Sequence, residues 1–467
     1  MISIDTIKER FQNKRVGVIG IGISNRPLIE LLTKAGAIVT ARDKKSLADL
    51  GELGESFLQK GVRLITGEHY LDDIDDEILF RTPGMRFDHP ALATAVANGA
   101  TLTSEMQLFF ELCPTTIIGI TGSDGKTTTT TLIHEMLKAE GKRVFLGGNI
   151  GKPLLPDLFD MTPDDYCVIE LSSFQLHTMT KSPDIAVITN LSPNHLDYHT
   201  DVYEYIEAKF NIFLHQKKGA RIVVNACQRS NLDTVLAERL NVIENRSDDV
   251  TVFTGEKIFE GSHCVYEKDG MIYHGSTPVL AVSDIKIPGR HNVENYMAAI
   301  GALWGLVSID TVQKIAREFG GVEHRIEYVR EVNGAHYYNS SIDSSPTRTI
   351  AALNAFGEKK LIVLLGGYDK KIPYEPLAEP LCQHAKTVIL TGNTAEPIKK
   401  ALVESSAYRE NAPQIIMTKD YAESVKIAHQ IAQKSDVVLL SPASASFDAF
   451  RNFEERGRFF KTLVNNL

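Results

Sequence analysis

The stretch GITGSDGKTTTT at residues 119–130 closes an apolar run, Thr116-Ile117-Ile118-Gly119-Ile120, and leads into the helical pattern Thr131-Leu132-Ile133-His134-Glu135-Met136-Leu137-Lys138. A strand that passes through a glycine-rich turn into a helix is a unit of a parallel α/β sheet, and such a turn collects phosphate at the carboxyl end of the strand. The strict phosphate loop reads G-x-x-x-x-G-K-[ST]. Gly125-Lys126-Thr127 fits its end, while Gly119 falls one residue early and Gly122 lies inside the loop. The physics tolerates that departure. Across Gly122, Ser123, Asp124 and Gly125, backbone amides can converge on phosphate oxygens. Lys126 adds a positive charge, the Thr127 hydroxyl can reach Mg²⁺, and a helix from about Thr128 presents its N-terminus. The competing reading is an ordinary glycine turn with a solvated lysine; it leaves the placement between a strand and a helix unexplained.

The same construction recurs along the chain. Residues 15–43 read as a strand (Val16 to Ile19), a glycine turn, a helix (Pro27 to Lys34) and a strand ending at Asp43, a βαβ opening. Near-continuous apolar runs at Tyr166 to Leu171 and Ile185 to Thr189 suit parallel strands buried on both faces. A third series, with strands at Leu361 to Leu365, Thr387 to Leu390 and Val437 to Leu440, follows residue 322. At 467 residues the chain is too long for one ordinary core, and three α/β domains are expected: 1–106, 107–321 and 322–467. Acidic residues outnumber basic ones, 59 to 50, and no basic block stands out, which argues against nucleic acid or an anionic membrane as partner. No apolar run approaches the length of a bilayer span, and the N-terminus lacks a signal-like pattern. Five dispersed cysteines (Cys113, Cys167, Cys227, Cys264, Cys382) show no metal spacing and read as buried thiols. A cytoplasmic protein is expected, monomeric, with small-molecule partners.

Chemistry-bearing residues gather where these strands end. Glu170 follows Tyr166-Cys167-Val168-Ile169 directly, next to the phosphate loop, where a Mg²⁺ ligand is wanted. The next strand opens the loop LSPNHLDYH with His195, Asp197 and His199. Each histidine alone reads as an ordinary loop residue; beside Glu170, His195 becomes a candidate ligand. In DVYEYIEAKFNIF, Val202, Tyr205, Ile206 and Phe213 share one helical face with Lys209. That lysine either snorkels to water or stands as a desolvated, partly neutral amine.

Taken in order, GITGSDGKTTT, ELSSFQL, NLSPNHLDYH, YIEAKFNIF, GRHNVENYMAA and EHRIEYV resemble the Mur ligases, ATP-dependent amide-forming enzymes of peptidoglycan synthesis. GIGIS, RTPGM and LSPASASFDAFRNFEERGRFF most resemble the family's D-glutamate-adding branch. The resemblance implies a Rossmann-like UDP-binding domain, a central ATPase-type domain and a C-terminal Rossmann-like domain. It implies that ATP phosphorylates the carboxylate of UDP-N-acetylmuramoyl-L-alanine, and that D-glutamate then displaces phosphate from the acyl phosphate. By the same resemblance Thr127 and Glu170 would hold one Mg²⁺ and His195 a second. Lys209 would be carbamylated by CO₂ to help hold the second ion. Asn292, Asn295 and Arg325 would contact the nucleotide. Ile23, Ser24 and Asp43 would hold the uridine diphosphate, with Asn149 and His195 at the muramoyl moiety. Ser344, Lys370, Ser446, Phe447 and Phe453 would receive the incoming glutamate. Lys126, His195, Lys209 and Arg325 are the expected catalytic set.

Two departures are visible. After Asn339 the related ligases carry an aspartate at the nucleotide ribose, but this chain has Ser340, with Asp343 three residues on. In GVIGIGISN, Asn25 stands where a dinucleotide fingerprint wants glycine. Three other readings stay open at this level: another amide ligase of the superfamily, a nicotinamide-dependent oxidoreductase built on the first domain, and a non-catalytic nucleotide-binding relative.

Overall fold

The computed structural model describes residues 2–192, 195, 198–226, 250–254, 263–357 and 361–467. Asp197 and Cys227 lie outside them. The chain divides into two compact units, one of residues 1–281 and 294–315, the other of 282–293 and 316–467.

The first unit contains two sheets. In the first, strands β1 (Arg15–Ile19), β2 (Ile38–Asp43), β3 (Arg63–Thr66), β4 (Ile78–Phe80) and β5 (Thr101–Thr103) run parallel in the order β3-β2-β1-β4-β5. The larger sheet takes β6 (Thr116–Thr121), β7 (Val144–Gly148), β8 (Tyr166–Glu170), β9 (Ile185–Ile188), β10 (Arg221–Asn225), β11 (Val250–Thr254), β12 (Cys264–Lys268), β13 (Met271–His274) and β14 (Thr277–Ala281). Among the described residues its order is β14-β13-β12-β11-β10-β9-β6-β8-β7. The phosphate-loop strand β6 therefore lies between β8 and β9, parallel to both. That order brings Glu170, at the end of β8, and the loop after β9 to the same edge as the phosphate loop. The last strands, β12 to β14, pair antiparallel.

In the second unit β15 (Glu327–Val332), β16 (Ala335–Asn339), β17 (Leu361–Gly366), β18 (Ala385–Thr391), β19 (Gln414–Met417) and β20 (Val437–Leu440) form a sheet in the order β15-β16-β20-β17-β18-β19. All pairs are parallel except β15 with β16. Strand β17 is buried along its whole length, as its unbroken apolar sequence requires of a central strand covered on both faces. Two core clusters on opposite faces of this sheet confirm that: Val363 and Leu365 belong to one, Ile362 and Leu364 to the other.

The helices start and stop where local chemistry dictates. In the helix Val202–Leu214, Asp201 caps the N-terminus by accepting from the Glu204 amide at 2.8 Å. Its buried face holds Tyr205, Ile206, Lys209 and Phe213 as expected, and also Ala208, Phe210 and Ile212; Val202 is only half-buried. The helix after the phosphate loop begins at Lys126, two residues before the expected start, because Gly125 takes a left-handed φ of 76° and turns the chain early. Among the described cysteines Cys167 and Cys264 are buried, whereas Cys113 and Cys382 are half-buried, a correction to the sequence reading. No described helix is long and apolar enough to cross a membrane.

Candidate active site

The loop after β6 is built by exclusion of side chains. A Cβ at Gly122, where φ is 149°, would collide with Thr189 Oγ1, and one at Gly125 with Asn295 Oδ1. The loop is tied to the end of β9: the Ser123 amide donates to Asn190 O (2.9 Å), the Asp124 amide to Asn190 Oδ1 (2.8 Å), and Thr189 Oγ1 to Asp124 O (2.6 Å). Two of the amides expected at phosphate thus hold the loop's own shape here. The first-turn amides of Thr127 and Thr128 have no intrahelical acceptor by geometry and are the ones an anion would meet.

Lys126 Nζ donates to the carbonyls of Gly122 and Ser123, each at 2.9 Å. Lys209 approaches the same loop from the helix Val202–Leu214, donating to Gly122 O at 2.8 Å and Thr121 Oγ1 at 3.3 Å, with Nζ 4.7 Å above the Tyr205 ring. It is 1 % exposed. Burial, helped by the neighbouring Lys126 charge, lowers its pKa well below the ordinary lysine value, against the pull of Glu170 and Asp124. Of the two sequence readings, the desolvated amine is the one observed. Glu170 is also 1 % exposed. Its Oε1 accepts from Asn149 Nδ2 at 2.9 Å, while Oε2 is buried without a hydrogen-bond partner. A buried carboxylate oxygen left unmatched is an acceptor waiting for a cation.

His195 is exposed, at a positive φ of 54°, with its ring 4.9 Å from Phe174 and 6.5 Å from Tyr205. Asn295 Oδ1 accepts from Thr129 Oγ1 at 3.2 Å, on the helix that starts with the phosphate loop. At the end of the first sheet, Asp43 accepts from the amides of Ile21 (2.6 Å) and Lys45 (2.9 Å), and exposed Ile23 and half-buried Ser24 follow in the same loop. Asn25 replaces the fingerprint glycine for a visible reason: its buried amide donates to the carbonyls of Ile19 and Gly20 and closes the turn.

The second unit carries the remaining candidates. Asn292 Nδ2 donates to Pro288 O at 2.5 Å. Arg325 is flanked by positive φ at His324 (66°) and Ile326 (45°), a costly backbone for a β-branched residue. The Ile326 amide donates to Ser340 Oγ at 3.1 Å, so the departing serine is fully buried and holds the arginine's turn. Asp343 accepts from Ser441 Oγ at 2.8 Å, and burial raises its pKa to about 6. Lys370 Nζ donates to Ser344 O and Oγ, both at 3.3 Å. Tyr368 donates its amide to Ala445 O at 2.9 Å, which brings the loop after β17 beside the loop of Ser446 and Phe447. Phe447 is 64 % exposed and meets the Tyr368 ring edge-on at 5.9 Å. Ser446 is buried. Phe453 opens the last helix, and its carbonyl accepts from Ser341 Oγ at 2.8 Å.

Sequence reasoning missed the residue that ties these loops together. Arg456 is fully buried and donates to Ser341 O (2.8 Å), Ser341 Oγ (3.0 Å), Ser444 O (3.1 Å) and Ala445 O (3.0 Å). Arginine inside a charged segment such as EERGRFF reads as solvated, and only its burial gives it away.

Comparison with known proteins identifies the family. Residues 120–303 match the Mur ligase middle domain, and residues 324–444 the Mur ligase glutamate ligase domain. The chain is 48% identical over 466 residues to the UDP-N-acetylmuramoylalanine–D-glutamate ligase of Clostridium kluyveri, covering 100% of this chain and 99% of that one. It is 47% identical to the enzyme of that name from Acetivibrio thermocellus, covering 99% of each. In fold it resembles UDP-N-acetylmuramate-alanine ligase MurC from Thermotoga maritima, with a TM-score of 0.56 at 18% identity, covering 97% of this chain and 99% of that one. With these sheets, this phosphate loop and full-length similarity on one polypeptide, the chain belongs to the Mur ligase family of ATP-dependent, Mg²⁺-using amide ligases.

Proposed function

We propose that this protein joins D-glutamate to the carboxylate of UDP-N-acetylmuramoyl-L-alanine with conversion of ATP to ADP and phosphate. The observation that carries the reading is the burial of Lys209 against the phosphate loop, with Glu170 within its electrostatic reach. An ordinary phosphate loop functions with its own lysine; a second, desolvated amine beside a buried carboxylate calls for further chemistry. Under this reading residues 1–106 hold the UDP sugar, 107–321 hold ATP and 322–467 receive glutamate.

The substrate carboxylate attacks the γ-phosphorus of ATP, the bond to the bridging oxygen breaks, and ADP leaves. The amine of glutamate, having lost its proton, then attacks the acyl carbon, and phosphate departs. A carboxylate becomes an acylating agent only once its oxygen belongs to such a leaving group. Two anions must be brought together in the first step, so positioning and charge neutralisation carry the catalysis. Lys126 and the first-turn amides supply charge at the β- and γ-phosphates, with Gly122, Ser123, Asp124 and Gly125 shaping the cradle. Arg325, Asn292 and Asn295 are the nucleotide contacts that the family resemblance assigns.

Glu170 and Thr127 would hold one Mg²⁺, a role that the unmatched Glu170 oxygen supports; His195 and a carbamylated Lys209 would hold a second. When bound, Mg²⁺ neutralises and orders the phosphate oxygens. Only an uncharged amine reacts with CO₂, and the desolvation of Lys209 favours that form. Ile23, Ser24 and Asp43 receive the uridine diphosphate, Asn149 and His195 the muramoyl group, and Ser344, Lys370, Ser446, Phe447 and Phe453 the acceptor.

Phosphate release is measured with ATP and Mg²⁺, with and without UDP-N-acetylmuramoyl-L-alanine, and with D- or L-glutamate. Release that needs both the sugar nucleotide and the D-isomer is expected. Binding of the sugar nucleotide with no D-glutamate-dependent release would overturn the ligase reading in favour of a binding protein.

A further inference from the structure

The motif RTPGM was informative as a resemblance, yet no residue of it has a role in the reaction as described. In the structure its turn, Thr82 to Met85, lies between two arginines that both reach out of the first sheet's domain. Arg81 is 1 % exposed. One of its nitrogens donates to the carbonyls of Pro83 (3.2 Å) and Met85 (2.9 Å), and the other to Phe174 O (3.1 Å) and Thr178 Oγ1 (2.9 Å). Arg86 forms a two-pronged pair with Glu204, both contacts at 2.9 Å, and donates to Tyr198 O at 2.6 Å. Asp88 braces its guanidinium from the other side, at 2.9 and 2.7 Å. Tyr198 returns the contact, its hydroxyl donating to the carbonyls of Pro83 and Met85 at 3.2 and 3.3 Å.

These contacts converge on His195. The amides of Tyr198 and His199 both donate to His195 O, at 3.1 and 3.0 Å. The Phe174 ring lies 4.9 Å from the His195 ring and 4.3 Å from Tyr198. Arg81 therefore grips the residue whose ring borders His195 on one side, and Arg86 holds the carbonyl of Tyr198, three residues further on. Glu204 stands in the first turn of the helix that carries Lys209, and its carboxylate also accepts from the Thr200 amide at 2.6 Å. His177 and His199 approach Glu204 at 3.5 and 3.6 Å. That trio has metal-like spacing among the described residues, but Arg86 already occupies both Glu204 oxygens, and a cation there would face the guanidinium.

We propose that Arg86 is a positioning residue. By clamping Tyr198 and Glu204 to the Thr82–Met85 turn it fixes the His195 loop and the start of the Lys209 helix, wiring the sugar-nucleotide domain to the ATP centre. Isolated surface ion pairs contribute little, whereas a bidentate, braced arginine that also binds a main-chain carbonyl has the geometry in which such pairs matter. The inference rests on the ligase reading for its kinetic consequence and on the structure alone for its mechanical one.

The test compares wild type with Arg86→Ala, Glu204→Ala and the double variant. Expected is a fall of about 10- to 100-fold in kcat, the range that a misplacement of about 1 Å produces, with the KM for glutamate within about twofold. The double variant should be no worse than either single one, and methylguanidinium should restore part of the activity of Arg86→Ala but none of Glu204→Ala. Amide exchange at residues 198–205 should rise at least about tenfold in Arg86→Ala, corresponding to a loss of about 1.4 kcal/mol in local protection. Should Arg86→Ala fail to fold, Arg86→Lys, which keeps the charge and loses the fork, is expected to show a smaller loss of the same kind. Unchanged kcat, unchanged exchange or additive losses would overturn the clamp. A wild type without D-glutamate-dependent phosphate release would instead overturn the ligase reading, and the exchange measurement would still decide the clamp.

Discussion

Two buried side chains are the strongest candidates for chemistry, Lys209 against the loop after β6 and Glu170 at the end of β8. Lys209 is held uncharged-prone by burial, and Glu170 offers one unmatched oxygen. Replacing Lys209 with alanine is expected to lower turnover by about 10²–10³, the scale of losing one preorganised charge, and formate or acetate should restore part of it. Loss that no short carboxylic acid repairs at any concentration would exclude the carbamate. In the second unit Asp343 gives a pH signature. Its folded pKa, about 6, is raised above the ordinary carboxylate value mainly by burial. A raised folded pKa means stability that is present below the unfolded value and lost as pH rises through the folded one. Thermal stability should therefore decline between about pH 4 and 6 from this group, and Asp343→Asn should flatten that segment of the profile. An unchanged slope in the variant would assign the decline elsewhere.

At the scale of elements, the loop after β6 depends on glycine twice, once for backbone and once for space. Gly125→Ala forces a side chain into φ 76° and against Asn295 Oδ1. The expected cost is about 1–3 kcal/mol of stability and about tenfold or more in ATP affinity, read by thermal denaturation and calorimetry. ATP affinity within about twofold of wild type would show that the loop relaxes. The strands were legible as short, near-continuous apolar runs bounded by turn residues, and the Lys209 helix by the helical spacing of its apolar residues. Gly125 as an early helix start was not, since its left-handed φ is a property of the closed loop. Arg81, Arg86 and Arg456 were not legible as site-building residues either. Arginine has the same local preferences whether it donates to buried carbonyls or to water, so the sequence around it carries no mark of burial.

Across the whole molecule, each unit carries its own hydrophobic cores, one set around the first two sheets and another around the third. Ligands of the two units should accordingly leave separate imprints. Mg·ATP is expected to slow amide exchange in residues 121–129, and D-glutamate in residues 366–371 and 441–447. At a hundredfold excess over its Kd a ligand stabilises its unit by about 2.7 kcal/mol, and chelation of the metal should abolish that gain for ATP. Protection of the phosphate loop by D-glutamate alone would contradict the assignment of acceptor residues to the last sheet.

The sequence by itself determined the α/β class, the phosphate loop, the family and the order of its motifs, because each is written in residues close together along the chain. Tertiary structure decided which strand ends meet, that Lys209 loses its water, that Ser340 supports the strained turn at Arg325, and that the RTPGM turn is bolted to the His195 loop. Burial and hydrogen-bond partnership depend on neighbours tens to hundreds of residues away, and sheet order selects those neighbours only when the chain has folded.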